Sequence, residues 1–275
     1  MERRRERIKL LDTWIDRISI ADASERVHEF VCSGVPNHIV TVNLDFLRLS
    51  KLDRSFRDIV NDSAMVVADG MPLVWASRRT GSPLPGRIAG VDLAVECARL
   101  AADHGYRMFL LGAAPGVAAA AADVLRSQFP GLAVAGTHAP SALDDEADAE
   151  TIRIIKAASP DILLVAFGAP KQEKWISKYK DVLQVPVLMG VGGSFDILSG
   201  RVNRAPGWMQ QSGMEWFFRF LEEPGRLWRR YFLNDLPTFV QLMGEVGAQS
   251  HMVAPVPFVP PERLNTSEGS GAPAA

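Results

Sequence analysis

Short apolar runs alternate along this chain with longer stretches in which apolar residues recur every three or four positions. The short runs are "HIVTVNL" (38 to 44), "AMVVAD" (64 to 69), "YRMFLLG" (106 to 112), "LAVAGTH" (132 to 138), "DILLVAFG" (161 to 168) and "PVLMGVG" (186 to 192). Brief segments rich in Val, Leu and Ile and bounded by Gly, Asp or Pro predict strands. Between them, "GVDLAVECARLAADHG", "PGVAAAAADVLRSQF" and "EADAETIRIIKAAS" predict helices. The strand runs are nearly continuous rather than strictly alternating, which is expected of strands covered on both faces. The pattern therefore predicts an α/β fold: a Rossmann-like, mostly parallel sheet flanked by helices, spanning residues 1–200. Such sheets bind ligands beyond the carboxyl ends of their strands, and that edge is where candidate chemistry is sought.

The pattern changes after residue 200. In "RVNRAPGWMQQSGMEWFFRFLEEPGRLWRRYFLNDLPTFVQLM", Trp208, Trp216 and Trp228 are interleaved with arginines. Residues 201–250 read as a separate helical appendage. The remainder, 251–275, is dominated by Pro, Gly, Ser and Ala, has little to bury, and is expected to be disordered.

Composition narrows the setting. At 275 residues, 47% hydrophobic and 23% charged, the chain can bury a sizeable core. Lys and Arg number 30 against 32 Asp and Glu, so no global field attracts nucleic acid or anionic lipid, and any basic site is local. Cys32 and Cys97 are the only cysteines, in no metal-like spacing, which points to a reducing cytoplasm rather than a disulfide scaffold. The N-terminus "MERRRERIKLLDTW" lacks the apolar core of a signal peptide. No run approaches the roughly 20 apolar residues that span a bilayer, so a chain neither exported nor membrane-spanning is expected.

Polar residues gather at the predicted strand ends: Thr41, Asn43 and Asp45, then Asp69-Gly70, then "GAAPG", then "GAPKQEKW". Each alone is ordinary turn punctuation, and Asp69 also suits the N-cap of a helix formed by "GMPLVWASRR". Several of them converging on one sheet edge make a site. Gly112 and Gly116 match neither the GxGxxG fingerprint nor a P-loop, and no acidic residue follows at the distance that would hold an NAD ribose, which disfavours a dehydrogenase. The five His are scattered, and "DDEADAE" (144 to 150) reads as a solvated helix start whose acids suit the dipole, so no metal site and no cofactor are expected. If the appendage is helical, Arg219 and Arg226, seven apart, and Arg229, three further on, share much of one face, with Pro224-Gly225 interrupting. Guanidiniums among aromatics admit a nucleic-acid surface, a membrane-surface helix or an anion clamp on a diphosphate; the near-neutral charge argues against nucleic acid.

Seven blocks in order, "TVNLDFL", "VVADGMPLVW", "RIAGVDL", "FLLGAAPGV", "FGAPKQEKW", "GVGGSFDILSGRVNRAP" and "GMEWFFRFLEEPGRLWRRY", resemble the WecG/TagA/CpsF family of bacterial glycosyltransferases over residues 38–243. The resemblance implies an inverting, metal-independent hexosyltransferase that moves a sugar from a UDP-sugar donor to a polyprenyl-diphosphate-linked sugar acceptor. The setting it implies is cell-surface polysaccharide synthesis: exopolysaccharide, teichoic acid linkage units or common antigen. It also implies work at the cytoplasmic face of the membrane, with the appendage docking there peripherally; a homo-oligomer is compatible with it.

Carried over position by position, the resemblance makes Asp69 and Thr41 catalytic and assigns substrate binding to Asn43, Arg87, Gln172, Arg219, Arg226 and Arg229. Pro72, where many relatives have glycine, leaves the donor sugar open. The chemistry expected of such an enzyme follows from the residue types. A sugar hydroxyl is a poor nucleophile and needs a base within hydrogen-bond reach, a role for Asp69. A departing UDP develops diphosphate charge, which guanidiniums can offset when no metal is present. A non-catalytic nucleotide-sugar-binding regulator is the alternative, and would not need the base.

Overall fold

The structure, a computed structural model, describes residues 6–248 and 253–255. Its centre is a six-stranded sheet of β3 (Asn37–Val42), β4 (Met65–Ala68), β5 (Arg107–Gly112), β6 (Ala133–His138), β7 (Ile162–Ala166) and β8 (Val187–Gly190), one for each apolar run of the sequence. The spatial order is β4-β3-β8-β7-β5-β6, and every pairing is parallel, so all six carboxyl ends share one edge.

Both faces of the sheet are covered along β3, β4, β5, β7 and β8, which explains their continuous apolar runs, while the edge strand β6 is only partly buried. Alternate residues serve opposite layers. Ile39, Met65, Met108, Ile162 and Val187 pack with α1 (Ile20–Ser33), α5 (Gly90–His104), α6 (Val117–Gln128) and α9 (Ser194–Leu198). On the other face, Val40, Val42, Val66 and Ala68 meet α2 (Leu44–Leu52), α3 (Arg54–Asn61) and α4 (Met71–Ser77). Phe109, Leu163 and Leu188 meet α7 (Asp145–Ala158) and α8 (Lys171–Leu183). The acidic stretch before α7 is a helix start, with Asp144 accepting the Ala147 N–H at 2.9 Å. Asp148 departs from the solvated reading: it is buried and accepts from Trp175 Nε1 at 2.7 Å and Tyr179 Oη at 2.8 Å, tying α7 to α8.

Three strands, β1 (Glu6–Leu10), β2 (Thr13–Asp16) and the C-terminal β9 (Val253–Pro255), have no counterpart among the sequence expectations. β1 and β2 form an antiparallel hairpin whose Ile8, Leu10 and Ile15 join the α2–α4 layer. The hairpin bonds to the outer edge of β4: Asp16 Oδ2 accepts the Val66 N–H at 2.6 Å, and Asp16 Oδ1 accepts from Arg7 Nε at 3.2 Å. Arg7 also donates to the Asn61 and Ser63 carbonyls at 2.9 and 2.8 Å, so this buried pair is multiply bonded.

The C-terminal region is helical as expected: α10 (Gly207–Ser212), α11 (Glu215–Glu222), α12 (Pro224–Trp228), a π-helical turn over Arg229–Asp235, and α13 (Leu236–Ala248). Pro224 starts α12, so the expected interruption is real. α13 is built into the core layer, with Leu242 fully buried and Val246 nearly so beside β3 and β4 residues. Within the stretch 251–275, expected to lack structure, Val253–Pro255 forms β9 and pairs with β1; its other residues lie outside the described ones. Among the described residues no helix is long and apolar enough to cross a membrane.

Candidate active site

β3 and β4 lie side by side at one margin of the sheet, and their carboxyl ends lead into α2 and α4. Asn43 ends the first turn of chain: its Oδ1 accepts the Asp45 and Phe46 N–H groups at 3.1 and 3.3 Å and so caps α2. Asp69 follows β4, its N–H held by the Val42 carbonyl at 2.7 Å. The cap expected of Asp69 on the following helix does not form, since Gly70 is the N-cap of α4 and no side chain caps it. Its Oδ2 accepts instead from the Gly90 N–H, 3.2 Å away at the start of α5, where the helix dipole favours an anion. The Arg87 segment reaches Asp69 because the Ile88 N–H bonds to the Ala68 carbonyl at 2.8 Å, prolonging the strand edge.

A cavity of about 360 Å³ opens here, between the strand ends and the C-terminal helices. Asn43, Asp69, Arg87, Glu215, Arg219, Arg230 and Asp235 supply its polar lining, and Met71, Pro72, Trp75, Trp216, Phe232 and Leu236 much of its apolar lining. Gly213 lets the C-terminal helices close on α4. It stands at φ +78°, and a Cβ there would come within 2.8 Å of both Met71 Cγ and Trp75 Cζ2.

Charge within the cavity is balanced across the seam. Arg87 pairs with Glu215 of α11 and lies 4.0 Å from Asp92, which Arg204 holds at 2.6 Å. Burial pushes the Asp69 carboxyl above its ordinary value; the Gly90 N–H, Arg87 and Arg219 work against that shift, and Glu215 adds to it. On the π-helical turn, Arg230 and Asp235 form an ion pair at 3.6 Å. Burial pushes Asp235 up to about 6, with Arg230 opposing.

The residues singled out from the sequence are thus partly gathered. Asp69, Asn43, Arg87 and Arg219 line the cavity. Thr41 is buried just beneath it: a Cβ on Gly90 would meet its Oγ1 at 3.3 Å. Gln172 is buried away from the lining, and its side chain is fully engaged. Its Oε1 accepts the Gly168 and Gly192 N–H groups, each at 3.0 Å, and its Nε2 donates to Glu173 at 2.7 Å, which braces the turns after β7 and β8. Arg219 then sits against the second of these turns, 3.9 Å from where a Cβ on Gly193 would stand. Arg229 is exposed and outside the lining, while Arg226 belongs to α12, its side chain outside the described residues. The single α-helical face expected of Arg219, Arg226 and Arg229 is not continuous: the helix breaks at Glu223, restarts as α12 at Pro224, and passes into the π turn at Arg229.

Sequence reasoning missed Glu215, Arg230 and Asp235. A π turn brings residues five apart into contact, as for Arg230 and Asp235, and a 3.6-residue period hides that pairing. Among the described residues, no group of three His, Cys, Asp or Glu side chains is arranged to hold a metal ion.

A sheet-edge cavity with a buried carboxylate facing arginines suits transfer of a group that leaves as an anion, and comparison with known proteins gives that chemistry a family. The family described as "Glycosyl transferase WecG/TagA/CpsF family" matches residues 8–251. The chain belongs to it. As a WecG/TagA/CpsF member it is a sugar-transferring enzyme of the hexosyltransferase class. Among its relatives are proteins named N-acetylglucosaminyldiphosphoundecaprenol N-acetyl-beta-D-mannosaminyltransferase from Staphylococcus aureus strains MW2 and NCTC 8325 / PS 47. Each is 31% identical over 236 residues, covering 85% of this chain and 91% of the relative.

Proposed function

We propose that this WecG/TagA/CpsF enzyme moves a sugar from a UDP-sugar to a polyprenyl-diphosphate-linked N-acetylhexosamine, with inversion and with no metal requirement. The observation that carries the reading is Asp69 itself, a carboxylate raised by burial in a cavity that also holds Arg87 and Arg219. Support for the substrate class comes from the relatives, whose name describes a diphosphoundecaprenol-linked acceptor.

In this mechanism the acceptor hydroxyl oxygen attacks the anomeric carbon from the face opposite the diphosphate. Its proton passes to the Asp69 carboxylate as the new C–O bond forms. The old bond to the β-phosphate oxygen breaks, and UDP leaves with the electron pair. Burial makes Asp69 a stronger base than an exposed aspartate while the Gly90 N–H keeps it aimed. Arg219 and Arg87 meet the growing charge on the diphosphate, Arg87 exchanging Glu215 for phosphate oxygens. Asn43 orients a sugar hydroxyl from the end of β3, and Thr41 and Gln172 hold the floor and the neighbouring turns in place.

The acceptor's lipid tail needs an apolar landing surface. Trp208, Trp216, Leu221, Trp228, Leu233, Leu236 and Val240 are all exposed on the C-terminal helices, and aromatic side chains of this kind favour the membrane interface. The enzyme would therefore work at the inner membrane face, peripherally bound, building a cell-surface polysaccharide of the exopolysaccharide, teichoic acid or common-antigen kind. The test is a panel of UDP-sugars given to the purified chain with a short-chain polyprenyl-diphosphate N-acetylglucosamine acceptor and no added metal. Release of UDP with one donor, dependent on the acceptor, is the expected result; no release with any donor would overturn the reading.

A further inference from the structure

The mechanism above leaves one polar pair of the cavity without a task. Asp235 is only 8% exposed, and its Oδ1 is buried without a hydrogen-bond partner among the described residues. Arg230 Nε is in the same condition, and the 3.6 Å between Arg230 and Asp235 is too long for a hydrogen bond between them. A buried donor and a buried acceptor left unsatisfied side by side are costly, and their retention in a cavity wall points to a ligand that satisfies both. Their neighbours on α2, Asp45 and Arg48, are already paired with each other at 2.7 Å and do not compete for them.

Position assigns the ligand. Arg230 and Asp235 are flanked on the same turn by Phe232 and followed by Leu236, which line the cavity and are also 38% and 50% exposed. The cavity wall at this end is therefore continuous with the apolar outer surface of the C-terminal helices. A donor nucleotide has no reason to lie against that surface; a sugar carried on a lipid diphosphate must pass it. Resting on the transfer reading above, we propose that Arg230 and Asp235 recognise the acceptor sugar. Asp235 Oδ1 accepts a hydrogen bond from a hydroxyl or acetamido N–H, and the Arg230 guanidinium donates to a neighbouring oxygen of the same ring. The pair sets which acceptor is used and leaves donor binding to the strand ends. A site of this kind discriminates strongly against a sugar lacking the bonded group, because the buried protein atoms are then stranded.

The experiment compares the full chain with Asp235→Ala and Asp235→Asn variants. The probes are the short-chain polyprenyl-diphosphate N-acetylglucosamine acceptor and analogues each lacking one hydroxyl. Losing a hydrogen bond to a charged group should raise the acceptor KM of Asp235→Ala roughly 10- to 100-fold. Asp235→Asn, which keeps an acceptor oxygen and nearly the same volume, should recover part of that loss. Affinity for UDP, measured by calorimetry, should stay within about twofold in both variants, which also reports that they are folded. One deoxy analogue should be penalised on the natural chain and not further penalised on Asp235→Ala. An acceptor KM unchanged in both variants while the natural chain turns over would overturn this assignment alone. A natural chain that uses no lipid-diphosphate acceptor would overturn the transfer reading on which it rests.

Discussion

Replacing Asp69 by Asn changes charge with almost no change in shape, and its consequences can be worked through in three directions. The Asn carbonyl oxygen can still accept the Gly90 N–H that holds the native side chain at 3.2 Å, so the cavity should keep its form. What is lost is the proposed proton acceptor. General-base contributions of about 10²- to 10⁴-fold correspond to roughly 3–5 kcal/mol of barrier, and turnover should fall by that factor. UDP affinity should hold or tighten, because Arg87 and Arg219 lose a competing carboxylate. The pH profile carries the sign. Burial holds Asp69 above the ordinary 3.8, and the base works only when ionised, so turnover of the natural chain should fall as pH drops through that raised value. The acid limb should vanish from the residual rate of the variant. Stability moves the other way. As pH rises from 3.8 to the raised folded value, the unfolded chain releases this proton first, so ionising Asp69 erodes stability across that window. The Asn variant should therefore melt above the natural chain at neutral pH. Transfer assays under saturating donor and acceptor, paired with thermal melts, read all three effects. A variant that keeps more than a tenth of the natural turnover would refute the base assignment.

Three further outcomes are expected. Glu215→Gln removes an anion that raises Asp69, so the acid limb of the pH–rate profile should shift to lower pH; an unmoved limb would separate the two groups electrostatically. Glu173 is fully buried with Oε2 unpartnered among the described residues, and burial pushes it from 4.5 to about 7. Stability from this group is lost between those pH values as it ionises, so Glu173→Gln should be more stable than the natural chain by roughly 2–4 kcal/mol at pH 8 and equal to it near pH 4 in urea unfolding. Leu242→Ala empties a fully buried position where α13 meets the core and should cost about 2–5 kcal/mol by the same measurement; a negligible cost would mean that α13 contributes little to the core.

What could be read from the sequence follows from how strongly burial constrains each segment. Five of the six central strands were legible because both faces are covered, leaving runs such as "DILLVAFG" with almost no polar residue to obscure them, whereas the edge strand β6 has no fully buried residue. β1 and β2 were not: "ERIKL" and "TWID" are short, half charged, and form strands only because they bury Ile8, Leu10 and Ile15 against the α2–α4 layer. At the site, Asp69 and Asn43 could be found as polar residues at strand ends, and Arg87 and Arg219 through the family pattern. The pattern could not tell a residue that faces the cavity from one that supports its walls. Gln172 sits in a motif block, yet its amide is consumed by Gly168, Gly192 and Glu173. Arg230 and Asp235 were invisible for a geometric reason, since their contact depends on a π turn that no 3.6-residue count anticipates.

The bond from Asp16 to the Val66 N–H bears on how Asp69, the proposed base, is kept in register. β4 has β3 on one side only, and an edge strand of four residues has few ladder bonds to resist sliding. A slip of one residue would turn Val67 and Ala68 to the wrong layers and draw Asp69 out of line with Gly90. The hairpin's carboxylate grips the outer edge in the middle of that strand, at 2.6 Å, and Arg7 fastens the carboxylate to the loop from which the strand starts. The N-terminal hairpin thus acts as a ratchet pawl for the strand that leads into Asp69, and its removal should displace that carboxylate before it unfolds the sheet.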